Sequence, residues 1–157
     1  MKQRNGVIIL GNYIKEMREL IGTQPLMVAG STVVVFNVMR EILLQQRSDN
    51  NKWGFPGGAM EYGESLEETA IRELYEETGL KAKDLRFIDI LSGEKEYHKY
   101  PNGDEIFGVT AVYTTSNISG ILSINDNESL NTKFFPLDDL PSNLVEKARY
   151  IIKKHLL

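Results

Sequence analysis

The sequence predicts an α/β fold of the α+β kind, a mixed β-sheet between helices, in one domain. Three observations predict it. The 157 residues match the roughly 150 expected of a single domain, and 41% hydrophobic with 25% charged residues is an ordinary globular balance. The periodic segments run helix, strands, helix, strands, helix. Strands outnumber helices and do not alternate strictly with them, which suits a mixed sheet covered by helices on both faces.

The elements follow from local pattern. Tyr13, Met17, Leu20 and Ile21 recur at helical spacing, and Gly22 and Pro25 close that helix. The valine-rich run from Leu26 to Phe36 reads as a buried strand, and Glu41 to Arg47 as a second, with 37–40 as a hairpin connection. Residues 53–58, WGFPGG, read as a glycine-rich loop. Ser65 to Thr78 is a helix, with Ser65 and Glu68 spaced as a capping box and Gly79 in the C′ place. Leu85–Ser92, Ile106–Thr115 and Lys133–Phe135 read as strands, and Pro101-Asn-Gly-Asp104 as a turn. Leu144, Val145, Ala148, Ile151, Ile152, His155 and Leu156 mark a C-terminal amphipathic helix.

Composition excludes several kinds of chemistry. There is no cysteine, hence no disulfide framework, zinc–thiolate site or cysteine nucleophile. Two histidines, His98 and His155, are too few for a histidine-built metal site. No apolar run approaches the ~20 residues of a membrane helix. The N-terminal apolar run is too short for a signal peptide, so a cytoplasmic protein is expected. The net charge of −4 argues against bulk binding to DNA or an anionic membrane.

That charge is unevenly placed. Residues 61–77 carry seven glutamates against Arg72 alone, a net −6, so the rest of the chain sums to +2. On a helical projection Glu73, Glu76 and Glu77 fall within an arc of about 100° that adjoins the apolar stripe of Leu66, Ala70 and Leu74. Carboxylates there sit at the core margin. Two of them roughly 6 Å apart repel by about 3 kcal/mol at an effective dielectric near 20. Pairing at i+4 offers little relief, because only Glu68–Arg72 and Glu77–Lys81 are well oriented. Either protons or a cation must occupy the cluster. Clustered carboxylates suit hard cations such as Mg²⁺, Mn²⁺ or Ca²⁺, and Mg²⁺ fills its remaining positions with water and substrate phosphate.

Residues 58–80, GAMEYGESLEETAIRELYEETGL, resemble the Nudix box of the Nudix hydrolase family. Gly58, Glu64, Arg72, Glu73, Leu74, Glu76, Glu77, Gly79 and Leu80 fill its fixed places. The flanking WGFPG, the N-terminal strands and FFPLDDLP at 134–141 also resemble bacterial, MutT-like members, so the likeness spans most of the chain. The resemblance implies one Nudix domain over 1–157, an α/β/α sandwich, and Mg²⁺-dependent hydrolysis of a diphosphate linkage in a small nucleotide, with Mn²⁺ as a substitute. By position it implies Glu76 and Glu77 as principal metal ligands. Glu73 becomes a further ligand or general base, Gly57 a carbonyl ligand and Glu64 the holder of metal-bound water. Arg72 matches the residue that orients the glutamates. In this family the base sometimes comes from a later loop, for which Glu128 is the candidate and Asp126 the second. Metals neutralise the pyrophosphate oxygens and acidify water, and a carboxylate removes the proton.

A nucleoside needs a stacking surface, for which Trp53, Phe55, Tyr97 and Tyr100 are candidates, and Arg47 could meet a phosphate. Trp53, in a polar loop, reads as functional, whereas a structural place is favoured for Phe55, Tyr97 and Tyr100. Two other readings compete. A non-catalytic Nudix-fold sensor would usually lose box residues, which are retained here. An RNA 5′-end pyrophosphohydrolase would want a basic groove, and +2 outside the glutamate segment offers none. The N-terminal helix and apolar strand edges could support a homodimer.

Overall fold

A computed structural model describes residues 2–4, 7–9, 12–124 and 128–157. The short strands β1 (Lys2–Arg4) and β2 (Val7–Ile9) pair antiparallel, and α1 spans Tyr13–Ile21. Asn12 caps α1, its Oδ1 accepting from the Lys15 amide at 3.0 Å, and Gly22 ends it at φ 64°. The central strand β3 (Leu26–Val35) is followed by β4 (Ile42–Arg47), β5 (Trp53–Gly54), β6 (Gly57–Ala59) and α2 (Leu66–Thr78). Then come β7 (Leu80–Ala82), β8 (Arg86–Leu91), a 3₁₀ turn at Glu94–Glu96 and β9 (Tyr97–Lys99). The long β10 (Glu105–Thr115), β11 (Ile118–Gly120), β12 (Ser129–Phe135) and α3 (Glu146–His155) complete the chain.

The main sheet runs β6-β3-β10-β8, with β9 also on β10. β3 and β10 are parallel, from Leu26↔Ile106 to Val35↔Thr115, and the other pairings are antiparallel, so the sheet is mixed. A second sheet orders β12-β4-β5, and β11 pairs with β7. β3 is valine-rich because both its faces are covered. Val34 enters an apolar cluster with Ala148, Ile151 and Ile152 of α3, while Val33 and Val35 pack with Ala70 and Leu74 of α2. Helices therefore cover opposite faces of one sheet. Among the described residues no helix is long and apolar enough to cross a membrane.

Three local expectations change. The 37–40 connection makes a single antiparallel bridge, Phe36↔Ile42, and its strands then part into different sheets. The Asn37 side chain closes this turn by accepting from the amides of Met39 and Glu41. The segment 53–58 is not a free loop, because β5 pairs with β4 and β6 with β3. The strand expected at Lys133–Phe135 begins at Ser129, since its first half is polar and lies at the margin of the second sheet.

Candidate functional site

α2 brings the glutamates to one place. Its start is fixed by the capping box: Ser65 Oγ accepts from the Glu68 amide at 3.1 Å, and the Ser65 amide donates to Glu68 Oε2 at 2.7 Å. Gly79, left-handed at φ 73°, ends it. The helix packs against β3 and β6, which lays its carboxylate margin over Gly57 and Gly58. A Cβ on Gly57 would run into the Ser31 carbonyl, so that position excludes a side chain, and one on Gly58 would push the Glu73 carboxylate aside.

Arg72 is the hub. Its Nε and Nη2 donate to Glu64 at 2.5 and 3.0 Å, its Nη1 to Glu73 at 2.8 Å and Glu76 at 3.1 Å, and its Nη2 to the Ala59 carbonyl at 2.9 Å. Glu64 also accepts from Thr69 Oγ1 and the Glu61 amide. The Arg72 guanidinium holds the Glu64 carboxyl down at about 2. Arg72 is itself raised, first by Glu64.

Burial separates the three box glutamates expected at the core margin. Glu76 is 56% exposed at its side chain. Glu73 is largely buried. Burial pushes its carboxyl up, Arg72 pulls it down, and Glu76 and Glu128 push it up again. Glu77 is only 8% exposed, and its Oε2 accepts from the Gly57 amide and from Gln45 Nε2, each at 3.0 Å. Gln45 belongs to β4, so this carboxylate joins the two sheets at the site.

The i+4 pairs expected from sequence do not form. Glu68 is spent in the capping box, and Lys81 lies over the Tyr75 ring at 5.1 Å. Arg72 instead answers three carboxylates, which relieves the apo-state repulsion only in part. Among the described residues no three acidic or histidine side chains form a ready-made ion cage. The donor set nevertheless fits a hard cation: every side chain is a carboxylate, Glu73 lies against a backbone without side chains, and negative charge exceeds the local positive charge.

Glu128 stands at the start of β12, its carbonyl accepting from the Ser48 amide at 2.7 Å, close enough to Glu73 to raise that carboxyl. Asp126 lies outside the described residues. Arg47 and Asp49 form a two-point ion pair at 2.9 and 2.7 Å, which raises the one and lowers the other. Tyr100 and Glu128 raise Arg47 further.

Trp53 corrects the sequence reading. It is 8% exposed and meets Phe135 edge-on at 4.8 Å. Its amide donates to the Asn143 carbonyl and its carbonyl accepts from the Val145 amide, so the segment entering α3 covers it. The distant C-terminal strand-to-helix passage, invisible to local pattern, makes a loop tryptophan a core residue. Phe55 is partly buried against the same cluster. Tyr97 is exposed on β9, donating to Glu105 at 2.7 Å with its ring against Phe107. Sequence reasoning missed Gln45, although a buried glutamine in a strand of leucines is itself a signal that an acid or amide faces it.

The family model described as NUDIX domain matches residues 27–155. A mouse protein, "Nucleoside diphosphate-linked moiety X motif 6" of Mus musculus, is 32% identical over 117 residues, which is 71% of this chain and 35% of that protein. An "RNA pyrophosphohydrolase" of Haemophilus ducreyi is 41% identical over 56 residues, 36% of this chain and 28% of its own. The chain thus spans about a third of the length of these curated relatives. Among solved structures, a MutT NUDIX hydrolase from Burkholderia pseudomallei superposes with a TM-score of 0.71 at 24% identity, covering 83% of this chain and 98% of the other, a likeness of fold.

Proposed function

The chain belongs to the NUDIX family, and from that premise we propose that it is a pyrophosphohydrolase that cleaves a phosphoanhydride bond in a small nucleotide with the help of Mg²⁺. One observation carries the reading: Glu64, Glu73 and Glu76 gather on Arg72, with Glu73 against Gly58 and a fourth glutamate, Glu77, on the neighbouring Gly57 amide. Glu64, Glu73, Glu76, Glu77 and the Gly57 carbonyl would hold the ion, with Mn²⁺ an alternative. Bound there, the ion supplies Lewis-acid stabilisation of phosphate oxygens and acidifies water.

The chain's own groups do the rest. Arg72 fixes Glu64, Glu73 and Glu76 relative to one another, as a positioning residue. Glu77 is anchored by Gln45 and Gly57, so its outer face has a fixed direction. The buried Glu73, with its raised affinity for a proton, suits a general base. Glu128, which shares its field, is the alternative base. Arg47 reaches a substrate phosphate if the phosphate displaces Asp49. The reading takes 1–157 as one catalytic domain, a nucleotide as its partner and the cytoplasm as its place, with Phe55 and Tyr97 as candidate contacts for the nucleoside.

The test is phosphate or pyrophosphate release, with Mg²⁺, from nucleotide sugars, dinucleoside polyphosphates, nucleoside triphosphates and 5′-triphosphorylated RNA. Turnover of at least one small nucleotide is expected, abolished in Glu77→Gln. Preference for the RNA would move the reading to 5′-end processing, and no release from any substrate would refute hydrolysis.

A further inference from the structure

α1 lies outside residues 27–155, yet it walls a cavity of about 220 Å³ beside the glutamates. Ile14 and Arg18 of α1 line it together with the turn of 100–104, and Val28, Ala59 and Ile106 complete the lining. Ala59 joins cavity and cluster, because its carbonyl accepts from Arg72. Tyr100 lines the cavity as well, its ring centroid 4.4 Å from that of His98.

We propose that this cavity is the pocket for the substrate's nucleobase and that it selects a base presenting an exocyclic amine. The proposal rests on the small-nucleotide reading above. Size is the first argument: 220 Å³ falls below the roughly 300 Å³ at which pockets for whole ligands begin, so it admits one ring system and not a nucleotide. Shape is the second, since Ile14, Val28 and Ile106 are apolar walls and Tyr100 offers a ring, which suits the face of a heteroaromatic base.

The polar edge sets the selection. Asp104 Oδ2 accepts from Asn102 Nδ2 at 3.0 Å and lies 3.6 Å from Arg18 Nε. Among the described residues that leaves Oδ1 for a ligand, and a carboxylate oxygen accepts. It takes an N–H donor, as acidic side chains take the amine of cytosine, and repels a carbonyl oxygen in the same place. The edge is also rigid. Arg18 donates to the carbonyls of Gly22, Gln24 and Glu105 at 3.0, 2.6 and 2.7 Å, tying α1 to the starts of β3 and β10. A pocket so fastened exists before the ligand arrives.

Calorimetric titration with nucleoside monophosphates tests this without turnover, because they carry no anhydride. Two pairs differ by amine against carbonyl, CMP with UMP and AMP with IMP, and ribose 5-phosphate is the base-free probe. In the wild-type chain the amine partner of at least one pair should bind about tenfold tighter, a difference of ~1.4 kcal/mol. Asp104→Asn should bring that ratio close to one, and Ile14→Trp, which fills the cavity, should bring the nucleotides toward the affinity of ribose 5-phosphate. A purely structural role for these residues would lower the melting temperature and leave the ratio intact. Equal affinities within both wild-type pairs, or a ratio that survives both variants, would overturn the pocket. If the ratio behaves as expected but no anhydride is cleaved, the hydrolysis reading fails and the pocket stands.

Discussion

α2 and α3 press on opposite faces of the same strand, β3, and differ in how they treat charge. α3 buries Ala148, Ile151 and Ile152 and closes its last turn with Lys154 and His155 on a single carboxylate, Asp89, at 2.9 and 2.8 Å. There one lysine and one imidazole answer a single carboxylate, and the pairing sits where a helix C-terminus favours positive charge. α2 buries Ala70 and Leu74 just as fully, but its margin gives one arginine to three carboxylates, and a fourth, Glu77, accepts from Gln45 and the Gly57 amide beside them. A helix needed only for packing has no reason to carry that imbalance. On the proposed reading, the excess of acid is what receives the cation.

The comparison breaks most sharply under substitution. Glu76→Gln or Glu77→Gln should lower kcat at least a hundredfold, whereas Asp89→Asn on the α3 side should leave kcat unchanged; steady-state kinetics with Mg²⁺ reads both. Arg72→Ala comes next. It strips the cation from three carboxylates that are mostly shielded, and with Arg72 about 25% exposed the loss should be about 2 kcal/mol, less than the 3–5 typical of a fully buried pair. Urea denaturation in the absence of metal measures it, and added Mg²⁺ should not restore activity.

Metal linkage is a further contrast. An ion that binds the folded α2 margin raises stability by about 2.7 kcal/mol at a hundred times its dissociation constant. The melting temperature of the wild-type chain should therefore climb with millimolar Mg²⁺ and fall back with a chelator, and the climb should be absent from a Glu76→Gln, Glu77→Gln double variant. The smallest effect is in pH. Glu64, ordinarily near 4.5, titrates at about 2 in the folded chain, so its contribution is complete above 4.5 and is lost as pH falls toward 2. After solvent screening this amounts to on the order of 2 kcal/mol. Glu73 has the opposite sign: its raised carboxyl favours folding at low pH and loses that advantage as pH rises through its folded value. Unfolding free energies between pH 3 and 6 should show a shallower acid loss in Glu64→Gln and a steeper one in Glu73→Gln.

Much of this was legible in the residues. The three helices, the valine-rich central strand and the capping box announce themselves through spacing, because periodicity reports which face is buried. The acidic margin of α2 was equally plain, and the box resemblance selected the same glutamates. Pairings between distant segments were not legible. β5 and β6 are too short to carry a pattern and exist because β4 and β3 offer them edges. Trp53 is buried by the passage into α3, some ninety residues away in sequence. Arg72 answers Glu64 across the helix start instead of Glu68 on its own ridge, a choice fixed by the capping box. Gln45 reaches Glu77 only because two sheets meet there.

The divalent-cation site proposed on the α2 margin can be observed without substrate. Paramagnetic resonance of Mn²⁺ tests it most directly, since the sharp signal of the free ion is lost on binding. The wild-type chain should remove that signal saturably, and the Glu76→Gln, Glu77→Gln double variant, still folded, should leave it in place. A double variant that takes up Mn²⁺ as the wild type does would contradict the account.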